Sequence, residues 1–149
     1  MKNLILVSFL GIALMFSSCG KYEEGPSLSL LSKKARVAGE WVYESMTVNG
    51  TDVTLTEDMK NSSTVLEKDG TGKVNAVSVI GTFSMDLEWK FNDDKTKFMT
   101  RTKDLTTGQF DDEWSESEIL RLTNKEFWMK DVETVAGVTT TTISHWKTK

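Results

Sequence analysis

The run FSMDLEWKF, Phe83 to Phe91, restricts this chain more than any other stretch. Phe83, Met85, Leu87, Trp89 and Phe91 alternate without a break with Ser84, Asp86, Glu88 and Lys90. Successive side chains on a β-strand point to opposite faces, so the run predicts a strand with one apolar and one wet face. On a helix the same residues would scatter around the whole circumference. The apolar face needs a core to cover it, and the strand edges need neighbours.

Neighbours are predicted on both sides. NDDK, Asn92 to Lys95, turns the chain into a threonine-rich strand at Thr96 to Thr102. Strands are also expected at Trp41 to Val48, Thr64 to Lys68, Lys73 to Ile80, Phe110 to Leu122, Glu126 to Glu133 and Val138 to Lys147. Asp52 to Thr56 suits a further short piece. Asp69-Gly70-Thr71-Gly72, Thr123 to Lys125 and Ala136-Gly137 supply turns. Ahead of the first strand, SLLSKKARVAGEW, residues 29 to 41, suits a short helix with Gly39 at its end. Parallel sheets need crossovers of a dozen or more residues. The connections are shorter, so the sheet is expected to be antiparallel. Seven or eight sequential strands with one wet face can curl into an up-and-down β-barrel and so remove their edges. A two-sheet sandwich satisfies the same periodicity.

The N-terminal region reads differently. Lys2 precedes an apolar run, Leu4 to Phe16, followed by Ser17, Ser18 and the chain's one cysteine, Cys19. The run is shorter than the roughly 20 residues that a membrane span needs. A basic start, a short apolar core and small residues describe a secretory signal. The ending Ser17-Ser18-Cys19 resembles a bacterial lipoprotein signal. That resemblance implies cleavage before Cys19 and a diacylglyceryl thioether on its sulfur. The protein would then be held at a membrane, because two or more acyl chains anchor stably where one does not. Gly20 stands at the second mature position, where inner-membrane lipoproteins carry aspartate; its identity implies the outer membrane of a Gram-negative bacterium. Lys21, Tyr22, Glu23 and Glu24 are similar to acidic signals for cell-surface exposure, and equally suit a solvated tether. The expected organisation is a signal peptide at 1–18, a lipidated N-terminus and tether at 19–28, and one barrel domain at 29–149.

Removal of residues 1–18 leaves 131 residues with 17 basic and 22 acidic side chains, since Lys2 is the only charge lost. A net charge of −5 argues against nucleic acid as a partner. One cysteine permits no intramolecular disulfide. Stability must come from packing, to which the five Trp and the five Phe that remain contribute. The lipoprotein cysteine, the basic helix and Gly39-Glu40-Trp41 at the first strand, with EILRLTNKEFWMK (Glu118 to Lys130) downstream, resemble the small lipocalin-like lipoproteins of Gram-negative bacteria. The resemblance spans roughly residues 30 to 147. It implies a lipocalin-like barrel in which Trp41 packs at a closed end and the other end is open.

Catalytic chemistry is not visible. Nucleophilic catalysis pairs Ser, Cys or Thr with a base, and the single histidine, His145, has no partner nearby in the sequence. A zinc site needs several His or Cys ligands. No metal or cofactor is expected, and no enzyme activity. The acidic run DDEWSESE, Asp111 to Glu118, lacks the glycine-bearing loop of a calcium site and reads as a solvated face. The aromatic residues say more. Trp89, Phe91, Trp114, Trp128 and Trp146 are candidates to line an apolar ligand site at the barrel mouth, or else to fill the core. The expected function is non-catalytic binding of a small apolar or amphipathic molecule by a lipid-anchored protein. The alternative is an interaction module with a solid barrel that binds a protein or glycan on its outer surface.

Overall fold

The computed structural model describes Tyr22 and residues 30–149; the signal-like segment, Cys19 and the rest of the expected tether lie outside the described residues. The elements run α1 (Lys33–Val37), β1 (Gly39–Val48), β2 (Thr51–Asp52), α2 (Glu57–Asn61), β3 (Ser63–Leu66), β4 (Thr71–Ser78), β5 (Gly81–Phe91), β6 (Lys97–Thr102), β7 (Ser115–Leu122), β8 (Glu126–Val135) and β9 (Val138–Thr148). Every pairing is antiparallel, in the order β2-β1-β3-β4-β5-β6-β7-β8-β9. β1 also pairs with β9, from Trp41↔Thr148 to Val48↔Thr142, so the sheet closes on itself. With the two-residue β2 set aside, eight strands in chain order form an up-and-down, lipocalin-like barrel. Closure answers the edge problem that the alternating strands pose, and it rules out the sandwich.

Three local expectations are corrected. Gly39 does not end α1 but opens β1; Ser32 caps the start of α1, its hydroxyl accepting from the Ala35 N–H at 3.2 Å, and Ala38 caps its end. The piece expected at Asp52 to Thr56 pairs only over Thr51–Asp52 and then yields to α2. There the Thr56 hydroxyl accepts from the Met59 N–H at 3.3 Å, and Glu57 and Asp58 sit in the first turn, where carboxylates suit the helix dipole. The strand expected from Phe110 is continuous only from Ser115 onward, Phe110 itself forming an isolated bridge with Lys103. Before it, the Asp104 carboxylate accepts from the Thr106 and Thr107 N–H groups at 2.8 and 2.6 Å, curling the chain into a loop.

The core is concentrated at the end covered by α1. Val37, Trp41, Leu122 and Phe127 are fully enclosed there. The Trp41 indole N–H donates to the Val37 carbonyl at 2.7 Å, and its ring meets Phe127 edge-on at 5.7 Å. Arg36 donates from Nη1 to the Leu122 carbonyl at 2.8 Å, latching α1 across the barrel end. Trp41 therefore packs at a closed end. Trp89 helps from the other side: its indole N–H is shared between the Glu67 and Thr71 carbonyls at 3.0 and 3.1 Å, pinning the β3–β4 turn beneath the core. Gly72 lies in that hairpin because nothing larger fits: a Cβ at this position would stand 2.5 Å from the Val65 carbonyl oxygen. The Tyr22 hydroxyl donates to the Lys95 carbonyl at 2.8 Å, so a point on the expected tether is fastened to the same end.

Candidate functional site: a cavity inside the barrel

Strand alternation decides what faces inward. On β5 the buried side chains are Leu87 and Trp89, so Asp86, Glu88 and Lys90 face out. On β8 the inward series is Phe127, Met129 and Asp131. Above the floor formed by Trp41, Leu66, Leu87, Phe98 and Phe127, these inward residues do not fill the barrel. They leave a cavity of about 220 Å³, to which all eight barrel strands contribute.

Its lining changes character along the barrel axis. The lower part is aromatic and aliphatic, with Tyr43 and Trp146 packed against each other at 4.3 Å between ring centres. Toward the end opposite α1 the lining turns polar: Thr100 and Thr102 on β6, Ser117 on β7, Asp131 on β8 and Ser144 on β9. Asp131 is the one charged side chain among the lining residues, and no Lys, Arg or His joins it. The Ser117 hydroxyl donates to Asp131 Oδ1 at 2.5 Å, the short distance of a charge-assisted bond. Burial pushes the Tyr43 phenol above its usual pKa, and the Asp131 carboxylate adds to the shift from across the cavity.

The five aromatic candidates part company. Trp146 lines the cavity. Trp89 is buried in the floor, packed 5.6 Å from both Phe91 and Phe98, with Phe91 half-buried beside it. Neither is among the cavity-lining residues. Trp114 and Trp128 stand outside the barrel. Trp114 precedes β7 and stacks under Lys90 Nζ, 4.0 Å from the ring centre, and under the Arg101 guanidinium at 4.9 Å. Trp128 faces out because Phe127 and Met129 take the inward positions; it stacks on His145 at 4.2 Å and beneath Arg121. Cys19 lies outside the described residues. Tyr43, Ser117, Asp131 and Ser144 are not among the sequence candidates, which are drawn from Trp and Phe alone. Counting by twos from Phe127 places Asp131 inside.

The acidic run is split. Glu116 and Glu118 form outward ion pairs with Lys97 and Lys130. Among the described residues no group of three or more His, Cys, Asp or Glu side chains could hold a metal. A larger depression of about 500 Å³ crosses the outer wall over β4 and β5. Four of its five charged side chains are in ion pairs: Asp86 lies between Lys73 and Lys103 at 3.6 and 3.7 Å, and Glu88 pairs with Arg101 at 2.6 Å. The interior cavity, lined by all eight barrel strands and with Ser117 alone hydrogen-bonded to Asp131 among the described residues, is the better candidate site.

No family model and no curated protein sequence matches the chain. Among solved structures it is similar to bovine odorant-binding protein in complex with a selenium-containing odorant, at 11% identity and a TM-score of 0.48, covering 82% of this chain and 75% of that one.

Proposed function

We propose that this protein is an outer-membrane lipoprotein, anchored through acyl chains on Cys19, whose barrel binds a small apolar or amphipathic molecule. The observation that carries the binding half is the cavity: all eight strands turn side chains toward it, and those side chains leave it unfilled. Its volume of about 220 Å³ exceeds the roughly 150 Å³ at which an apolar cavity takes up benzene. It falls below the roughly 300–1,000 Å³ of pockets for drug-sized ligands. A single ring or a short chain fits; a sterol or a haem does not. The anchoring half rests on the residues before and at Cys19. It is supported by the outer wall, where Lys73, Asp86, Glu88, Arg101, Glu116, Glu118 and Lys130 form ion pairs. A wall meant to face lipid would present an apolar band, so attachment by a tether suits this barrel.

The test is a thermal-shift and tryptophan-fluorescence screen of purified protein with monocyclic and short-chain amphiphiles. Ligand at a hundredfold excess over its dissociation constant should add about 2.7 kcal/mol to stability. Trp146 emission should change as its wall is covered. Ser144→Leu, which pushes a larger side chain into the cavity, should abolish both responses. A screen without any shift would leave the solid-barrel interaction module as the better reading.

A further inference from the structure

The cavity's one charge is a carboxylate, and where it sits defines the head of the ligand. Asp131 lies one inward step beyond Met129 on β8, opposite Thr142 of β9, so it stands on the side of the cavity away from the aromatic floor. One of its oxygens accepts from Ser117; among the described residues no basic side chain forms an ion pair with it. The other polar groups in the lining, Tyr43, Thr64, Thr100, Thr102 and Ser144, are neutral hydroxyls. A ligand that fills the lower cavity with its apolar body therefore brings its polar end against a carboxylate with a free acceptor site. An ammonium there gains a charge-assisted hydrogen bond in a partly desolvated site. A carboxylate in the same place meets like charge with no cation to offset it.

We propose that the site selects a small amphiphile with a cationic amine head, Asp131 receiving the ammonium while the apolar body rests on Trp146 and the floor. This rests on the binding reading above and narrows it to one ligand class.

The experiment is calorimetric titration of the purified full-length protein with three probes of like shape, 2-phenylethylamine, 2-phenylethanol and phenylacetate. The amine should bind at least about tenfold more tightly than the alcohol, as a hydrogen bond to a charged group implies, and phenylacetate should be weakest. Asp131→Asn retains an oxygen to accept from Ser117. It should collapse the amine-to-alcohol affinity ratio to near one, with an unaltered circular dichroism spectrum. If the variant does not fold, the ranking in the native protein decides alone. Alcohol binding with the amine no tighter, or an amine advantage that survives in Asp131→Asn, overturns the amine assignment and leaves the binding reading standing. Failure of all three probes to bind overturns both.

Discussion

Leu87→Asp and Glu88→Gln, neighbours on one strand, should differ in cost by several kcal/mol. Leu87 is 3% exposed, between the floor and the cavity, and touches the hairpin at Gly72. Replacing it removes a buried aliphatic side chain worth about 1.5–3 kcal/mol. The new carboxylate has no cation in the cavity lining, and Asp131 already contributes a like charge. An unpaired buried charge costs about 3–5 kcal/mol more, toward the lower end where solvent can enter a cavity. The sum, about 4.5–8 kcal/mol, is a large share of the roughly 5–15 kcal/mol that holds a domain together. Glu88 faces outward, paired to Arg101 with both side chains about a third exposed. An ion pair so placed contributes about 0.2–1 kcal/mol. Urea denaturation, read as midpoint and slope, separates the two, because a true stability change moves the midpoint at constant slope. Equal losses, or a Leu87→Asp cost below about 1 kcal/mol, would refute the assignment of faces and the barrel interior built on it.

Gly72→Ala should destabilise by about 1–3 kcal/mol in the same assay, as overpacking does, because its Cβ would meet the Val65 carbonyl oxygen at 2.5 Å. Cys19→Ser should release the protein from the membrane fraction, and mass spectrometry of the native N-terminus should show acyl chains. An unmodified native N-terminus refutes the anchor. In the folded protein both tyrosines should resist ionisation. Burial raises the Tyr22 phenol to about 12 and also lifts Tyr43, so at pH 10, where an exposed tyrosine is half ionised, Tyr22 should be almost wholly un-ionised and Tyr43 less ionised than an exposed phenol. The stability linked to Tyr22 is present below pH 10 and lost as pH rises toward 12, since the unfolded phenol ionises first.

Strands were legible wherever alternation was strict, because a half-buried strand imposes a period of two on its side chains. FSMDLEWKF became β5 almost to the residue. Elements whose signal is local capping were harder to read. Thr56-Glu57-Asp58-Met59 carries the N-cap and acidic first turn of α2, but five residues offer no periodicity to confirm a helix. Asn49-Gly50 between β1 and β2 has the positive φ values, 50° and 78°, that a tight hairpin requires. Its significance was masked because β2 is only two residues long. The strand expected from Phe110 ran too far because Phe110 and Trp114 look like strand residues. Both pack against the Arg101 guanidinium on the outer wall, and Phe110 meets the sheet only through a single bridge to Lys103.

The site was less legible than the fold, and for one physical reason. Binary patterning equates inward with apolar, and this barrel departs from that rule in both directions. Trp114 and Trp128 are large and aromatic yet stand outside, covered by Arg101, Lys90, Arg121 and His145. Thr100, Thr102, Ser117, Asp131 and Ser144 are polar yet face in. A barrel selected only for stability would gain by exchanging small polar residues at inward positions for Leu, Ile or Phe, since cavity-filling commonly adds about 0.5–2 kcal/mol per site. Of the six Ser, Thr and Asp side chains that line the cavity, five lie on four adjacent strands, β6 to β9, and only Thr64 of β3 stands apart. Random neutral drift would not gather them beside the one unfilled volume. Departures from patterning that cluster in this way are where function is expected to override packing. The void and its carboxylate therefore favour a binding barrel over a solid one.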